Sequence, residues 1–224
     1  MVSTNTKVIG VEVGAAYLGT LLLARILFQL KHINFISSIM HGVIAVAFLY
    51  IPVWLIRRRG LSLEAYGLTM GNLKRDLKWL ALLVGIVFPV FAGGYHYYQK
   101  IFFDNSISFN LPENFATLCV FHIVVVAFPE EVFYRGYLQG RLEELIPPKF
   151  SFLYARVGLG WLFASFLFAV GHLLVDGRFQ RLGVFFPALL FGLMRKWTGT
   201  VVLPALFHGL CNIFMAVLEK SYFG

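Results

Sequence analysis

Three short segments of this 224-residue chain place chemically able side chains where they are costly to keep. The first is Phe128-Pro129-Glu130-Glu131-Val132-Phe133-Tyr134-Arg135-Gly136. Two adjacent carboxylates in an apolar helix lose hydration and repel each other. Glu131 and Arg135 are four residues apart, so they share a helix face and can pair. Glu130 points about 100° away and is left without that partner. A carboxylate held without a partner in an apolar helix suits a general base or acid near neutral pH. Pro129 also removes an intrahelical hydrogen bond and frees the Val125 carbonyl. The second segment is Phe166-Leu167-Phe168-Ala169-Val170-Gly171-His172. Phe168 lies one turn before His172 and can wall one side of its ring, while Asp176, one turn after, can orient the imidazole. The third is Pro204-Ala205-Leu206-Phe207-His208-Gly209-Leu210-Cys211-Asn212. His208 and Asn212 face the same way and offer hydrogen-bond donors from one helix face.

Each segment also has a plainer use. Glu131 and Arg135 read equally as a buried ion pair beside a spare Glu130, and His172 as a packing residue. His208 and Asn212 read as interhelical glue, worth about 0.6–2 kcal/mol. His32, His41, His96 and His122 read as interfacial or packing residues. Of these, His122 lies two turns before Glu130 on roughly the same side.

The elements that must position these groups are membrane helices. Hydrophobic residues make up 59% of the chain and charged residues 13%, with a mean hydropathy of +0.77. Soluble proteins carry roughly 25% charged residues, so the solvent is lipid. The same composition excludes a disordered chain, a disulfide scaffold and a collagen-like chain. Cys119 and Cys211 lie in apolar runs and read as small hydrophobes. Apolar runs at about 8–30, 36–56, 79–98, 114–134, 157–175, 183–195 and 199–218 predict an all-α, polytopic transmembrane bundle. It has about seven spans, within a range of six to eight, and an intramembrane polar cavity. The sixth run is short for a full crossing. No long linker or internal repeat divides the series, so residues 1–224 read as a single transmembrane domain. The first run carries Glu12 and Arg25 and lacks a cleavage site, so it reads as a retained span.

Basic residues set the orientation. Arg57, Arg58, Arg59, Lys74, Arg75 and Lys78 follow the second span; Arg135, Arg141, Lys149 and Arg156 follow or end the fourth; Arg195 and Lys196 follow the sixth. With Lys7 these put most of the 19 basic residues on one side, which predicts a cytoplasmic N-terminus and an outer C-terminus; so short a chain is expected in a prokaryotic plasma membrane. Trp54, Trp79 and Trp197 border the same stretches, as interfacial tryptophans do. The net charge of +8 is then a topology signal, and no nucleic-acid partner is expected. Residues 61–78 read as an amphipathic surface helix.

The fourth helix should continue to about Leu145, where Ile146-Pro147-Pro148 stops it. At 1.5 Å per residue, Glu130, His172 and His208 then lie roughly 20, 23 and 14 Å from their cytoplasmic helix ends. These depths allow one shared cavity, expected to open toward the cytoplasm. Gly136 and Gly140 form a small-xxx-small pair that should let a neighbouring helix come close.

The series Glu130-Glu131-x-x-x-Arg135, Phe168-x-x-x-His172 and His208-x-x-x-Asn212 resembles the CAAX protease and bacteriocin-processing family. That family, also called the abortive-infection family of intramembrane proteases, includes the Ras-converting CAAX endopeptidase. The likeness covers about 115–218. It implies that Glu130 and His172 activate the attacking water, that His208 and Asn212 hold the oxyanion, and that Glu131 and Arg135 support them. The implied partner is a membrane-associated peptide or protein substrate, with membrane lipid around it. Glu130, His172 and His208 also form a set that zinc could use, but no H-E-x-x-H helix is present. Glu-activated water without a cofactor is the preferred reading. Two rivals stand beside the peptidase: a proton-coupled transporter or channel, which buried Glu, His and Arg would equally mark, and a non-catalytic membrane scaffold or immunity protein.

Overall fold

A computed structural model describes residues 6–224. Its helices are α1 (Thr6–Gln29), α2 (Asn34–Arg58), α3 (Leu73–Phe103), α4 (Phe115–Leu145), α5 (Leu159–Asp176), α6 (Phe185–Thr198) and α7 (Val202–Phe223). Between α4 and α5, β1 (Phe150–Phe152) and β2 (Ala155–Val157) form an antiparallel hairpin that the sequence reading did not anticipate. A 3-10 turn, Phe179–Val184, links α5 to α6. Among the described residues, six helices, α1 to α5 and α7, are long and apolar enough to cross a bilayer. The protein is an integral, multi-pass, all-α membrane bundle.

The sixth expected span is a helix too short to cross a bilayer unaided, yet it runs from the end where α5 stops to the end where α7 starts. Helix α6 has 14 residues, about 21 Å at 1.5 Å each, against roughly 30 Å of hydrocarbon. Its apolar residues meet protein more than lipid: Ala188, Phe191, Leu193 and Met194 are buried within the bundle. The lipid-facing helices show the opposite pattern. Val90 is 73% exposed and Val11 72% exposed, which only an apolar solvent makes favourable.

One end of the bundle is tied together by its basic residues. Arg59 pairs with Glu12 at 2.6 Å, and Arg141 reaches the same carboxylate at 3.2 Å. The Tyr137 hydroxyl donates to Glu12 at 3.1 Å. Arg141 also pairs with Glu144 at 2.5 Å, and the Tyr66 hydroxyl donates to Glu144. Burial, then the Glu144 carboxylate beside it, raises the Tyr66 hydroxyl above the ordinary tyrosine range. Lys196 pairs with Glu143 at 2.7 Å, and Arg75 donates to the Thr198 carbonyl at 2.7 Å.

Residues 61–78 are not one surface helix. The chain turns through 61–72, with Gly67 and Gly71 at φ +74° and +59°. A left-handed backbone stops helix propagation there. Asn72 then caps α3 by accepting from the Arg75 N–H at 3.0 Å. This turn segment, rather than a helix, fills the notch at Gly136 and Gly140. A Cβ on Gly140 would lie 2.9 Å from the Tyr66 ring, and one on Gly136 would lie 3.3 Å from the Tyr66 carbonyl.

Candidate functional site

Helix α4 runs to Leu145, as Pro147 and Pro148 predict, but its winding is uneven. Phe121–Ala127 and Val132–Leu138 are π-helical, and Phe128–Glu131 is a single α turn between them. The Phe128 N–H reaches back five residues to the Ile123 carbonyl. Pro129 follows with no N–H to give, so the ladder can change register there without stranding a donor. Both glutamates sit on that turn. π segments inside helices commonly mark functional sites.

The winding also changes what faces Glu130. In an unbroken α-helix His122 would sit about 80° round from Glu130. The wider π winding, roughly 4.4 residues per turn, closes most of that angle. His122 lines the same cavity as Glu130, and its Nδ1 is buried without a hydrogen-bond partner. His41 of α2 lines it too. The sequence reading left both as interfacial or packing residues. The signal for His122 was its register relative to Glu130; His41 had none.

Three helices bring the expected residues together. Glu131 Oε2 pairs with Arg135 Nε at 3.1 Å, both essentially buried. Arg135 lies over the Phe168 ring at 4.3 Å and the Phe191 ring at 5.2 Å, and donates to the Ala188 carbonyl at 3.0 Å. Glu131 Oε1 bonds His208 Nδ1 at 2.9 Å. Glu130 has no such tie. Its Oε2 is buried without a hydrogen-bond partner, 3.8 Å from His208 Nε2 and 4.0 Å from His172 Nε2. Asn212, one turn beyond His208, lines the same cavity of about 330 Å³.

The ring partners assign the protons. His172 Nδ1 lies 2.9 Å from the Phe168 carbonyl, which can only accept. Nδ1 of His172 therefore carries hydrogen, and Nε2 is the ring nitrogen that faces Glu130, with a lone pair there when the ring is neutral. His208 gives its Nδ1–H to the Glu131 carboxylate in the same way. Aromatic rings hold both imidazoles: Phe168 contacts His172 at 4.5 Å between centroids, and Phe191 stacks on His208 at 4.9 Å. The Tyr17 hydroxyl, donating to the Leu167 carbonyl at 2.8 Å, ties α5 to α1.

Two expectations fail here. Asp176 does not orient His172; it pairs with Arg178 at 2.9 Å and Arg181 at 2.7 Å. Gly177, at φ +77°, ends α5 directly after it, and the chain turns both arginines back onto the carboxylate. The cavity also does not open at the basic end. Its outer lining is Phe28, Met40, His41, Val175, Asp176 and Arg181, from the opposite helix ends. Arg181, on the 3-10 turn before α6, lines that end, and no residue of α6 does.

Close approach of α7 to α4 depends on Gly209. A Cβ there would lie 2.7 Å from Ile123 Cγ1 and 3.0 Å from its Cα, which is backbone and cannot step aside. Gly209→Val should therefore lower the melting temperature, by an overpacking cost of about 1–3 kcal/mol, and displace His208. Gly85→Ala, where nothing lies within 4 Å, serves as the silent control in the same thermal melts.

Residues 112–214 match the family described as type II CAAX prenyl endopeptidase Rce1-like. No curated protein and no solved structure matches the chain.

Proposed function

Because the chain belongs, through residues 112–214, to the Rce1-like family of CAAX-type intramembrane proteases, we propose that it hydrolyses a peptide bond with water activated by Glu130 and His172. The observation that carries this reading is the unpartnered Glu130 Oε2 between two imidazole Nε2 atoms. A water there gives one proton to Glu130 and hydrogen-bonds its other to the His172 lone pair. Its oxygen adds to the scissile carbonyl carbon. His208, when it carries both protons, keeps Nδ1–H on Glu131 and offers Nε2–H to the developing oxyanion. Asn212 adds a second donor. Such donors act strongly in a nearly dry site. Glu130 then passes its proton to the leaving amine as the C–N bond breaks.

Zinc fits the donor types but not their spacing. Tetrahedral ligands at about 2.0–2.1 Å stand roughly 3.3 Å apart, whereas Glu130 Oε2 lies 3.8 and 4.0 Å from the two Nε2 atoms. Two hydrogen bonds of about 2.8 Å to one water span that gap with ease. The spacing supports the metal-free reading.

The test is a comparison of membrane and secreted proteome termini from a strain lacking the protein and one carrying His172→Ala. The same uncut precursor should accumulate in both. Purified wild-type protein should then cleave it at an unchanged rate after treatment with a strong zinc chelator. If the His172→Ala strain processes every precursor normally, the hydrolase reading is wrong.

A further inference from the structure

Resting on the hydrolase reading, we infer that the cavity is loaded from the extracytoplasmic side, and that its substrate is a peptide segment lying in the outer leaflet. The two ends of the bundle differ in charge. Arg57–Arg59, Lys74, Arg75, Lys78, Lys149, Arg156, Arg195 and Lys196 gather at the end where α2 stops, α3 starts and α6 stops. Basic excess near span ends marks the cytoplasmic face.

The cavity opens at the other end. Phe28 closes α1, Met40 and His41 open α2, and Asp176 closes α5. The lining grades from exposed His41 and Arg181 at this mouth to buried Phe48, Tyr134, Gly171 and His208 deeper in. Between the cavity and the basic end stand the Glu12, Arg141, Tyr137 and Glu144 contacts and the turn segment packed on Gly136 and Gly140; a second pocket at that end, lined by Glu12, Trp54, Arg58 and Arg59, shares no residue with the cavity. A substrate from the cytoplasm would have to break that cluster of ion pairs. One from the outer leaflet meets an apolar wall of Leu21, Ile44, Phe121 and Val125 leading to Glu130. That lining suits an extended apolar peptide segment.

The first experiment is cysteine labelling in intact cells, in a Cys119→Ser/Cys211→Ala background. A membrane-impermeant maleimide should label Ser38→Cys and Met40→Cys without permeabilisation, and Lys149→Cys only after it. Should the cysteine-free background fail to fold, reporters fused after Gly224 of the otherwise native chain replace it. An exported phosphatase should be active there and a cytoplasmic fluorescent protein dark, because α7 ends on the mouth side. The opposite labelling or reporter pattern overturns the sidedness. The second experiment maps the cut in the precursor that accumulates in the His172→Ala strain. A site in the outer leaflet or beyond it supports the substrate class, and a cytoplasmic site refutes it. Labelling needs no cleavage. Failure to find any precursor therefore counts against the hydrolase reading, while the accessibility pattern judges the sidedness by itself.

Discussion

Glu130→Gln should leave a folded protein that no longer cleaves. The change keeps shape and volume but removes the proton acceptor. General-base catalysis contributes about 10²–10⁴-fold, and single-turnover cleavage of the accumulated precursor by purified protein should fall by that order. Stability should move the other way. Glu130 Oε2 is buried and makes no hydrogen bond within the protein, so folding costs the carboxylate part of its hydration with no protein donor to offset the loss. The Gln variant should melt at or above the wild-type temperature. A residue that costs stability while enabling activity is the usual signature of a catalytic site. A Glu130→Gln protein that cleaves within a few-fold of wild type would remove the base from the scheme.

The neighbouring carboxylate should behave in the opposite sense. Glu131→Gln leaves the Arg135 guanidinium, 1% exposed, without its counter-charge. Breaking one side of a buried pair costs about 3–5 kcal/mol, so the thermal transition should drop sharply. His208 also exchanges a carboxylate for an amide at Nδ1, which weakens its hold on both protons. Activity and stability therefore fall together, and the double variant Glu131→Gln/Arg135→Met separates them. Replacing both charges by groups of similar volume is often near neutral for stability. The double variant should regain most of the lost melting temperature and stay inactive, because nothing restores charge to the Nδ1 side of His208. Recovery of cleavage together with stability would show that Glu131 acts only as scaffold and does not position His208.

The chemical parts were legible in the sequence because lipid makes them conspicuous. Glu130, Glu131, Arg135, His172, His208 and Asn212 stand out where ionisable and polar groups are expensive. Four-residue spacing was enough to predict the Glu131–Arg135 pair, since helix geometry is local and lipid enforces helices. Composition likewise determined the all-α, multi-pass class, and the double proline placed the end of α4. Other features depended on what the chain meets in space. The sixth run was legible as short, but not which of its residues face protein, because protein and lipid reward the same residues. Gly136 and Gly140 showed that something approaches closely, but not that it is the turn around Tyr66. His41 and His122 entered the cavity through a neighbouring helix and a π winding, and neither leaves a periodic trace. The direction of the mouth was decided last, by which helix ends line the cavity. Depths along separate helices are one-dimensional quantities, and they carry no information about where the bundle is open.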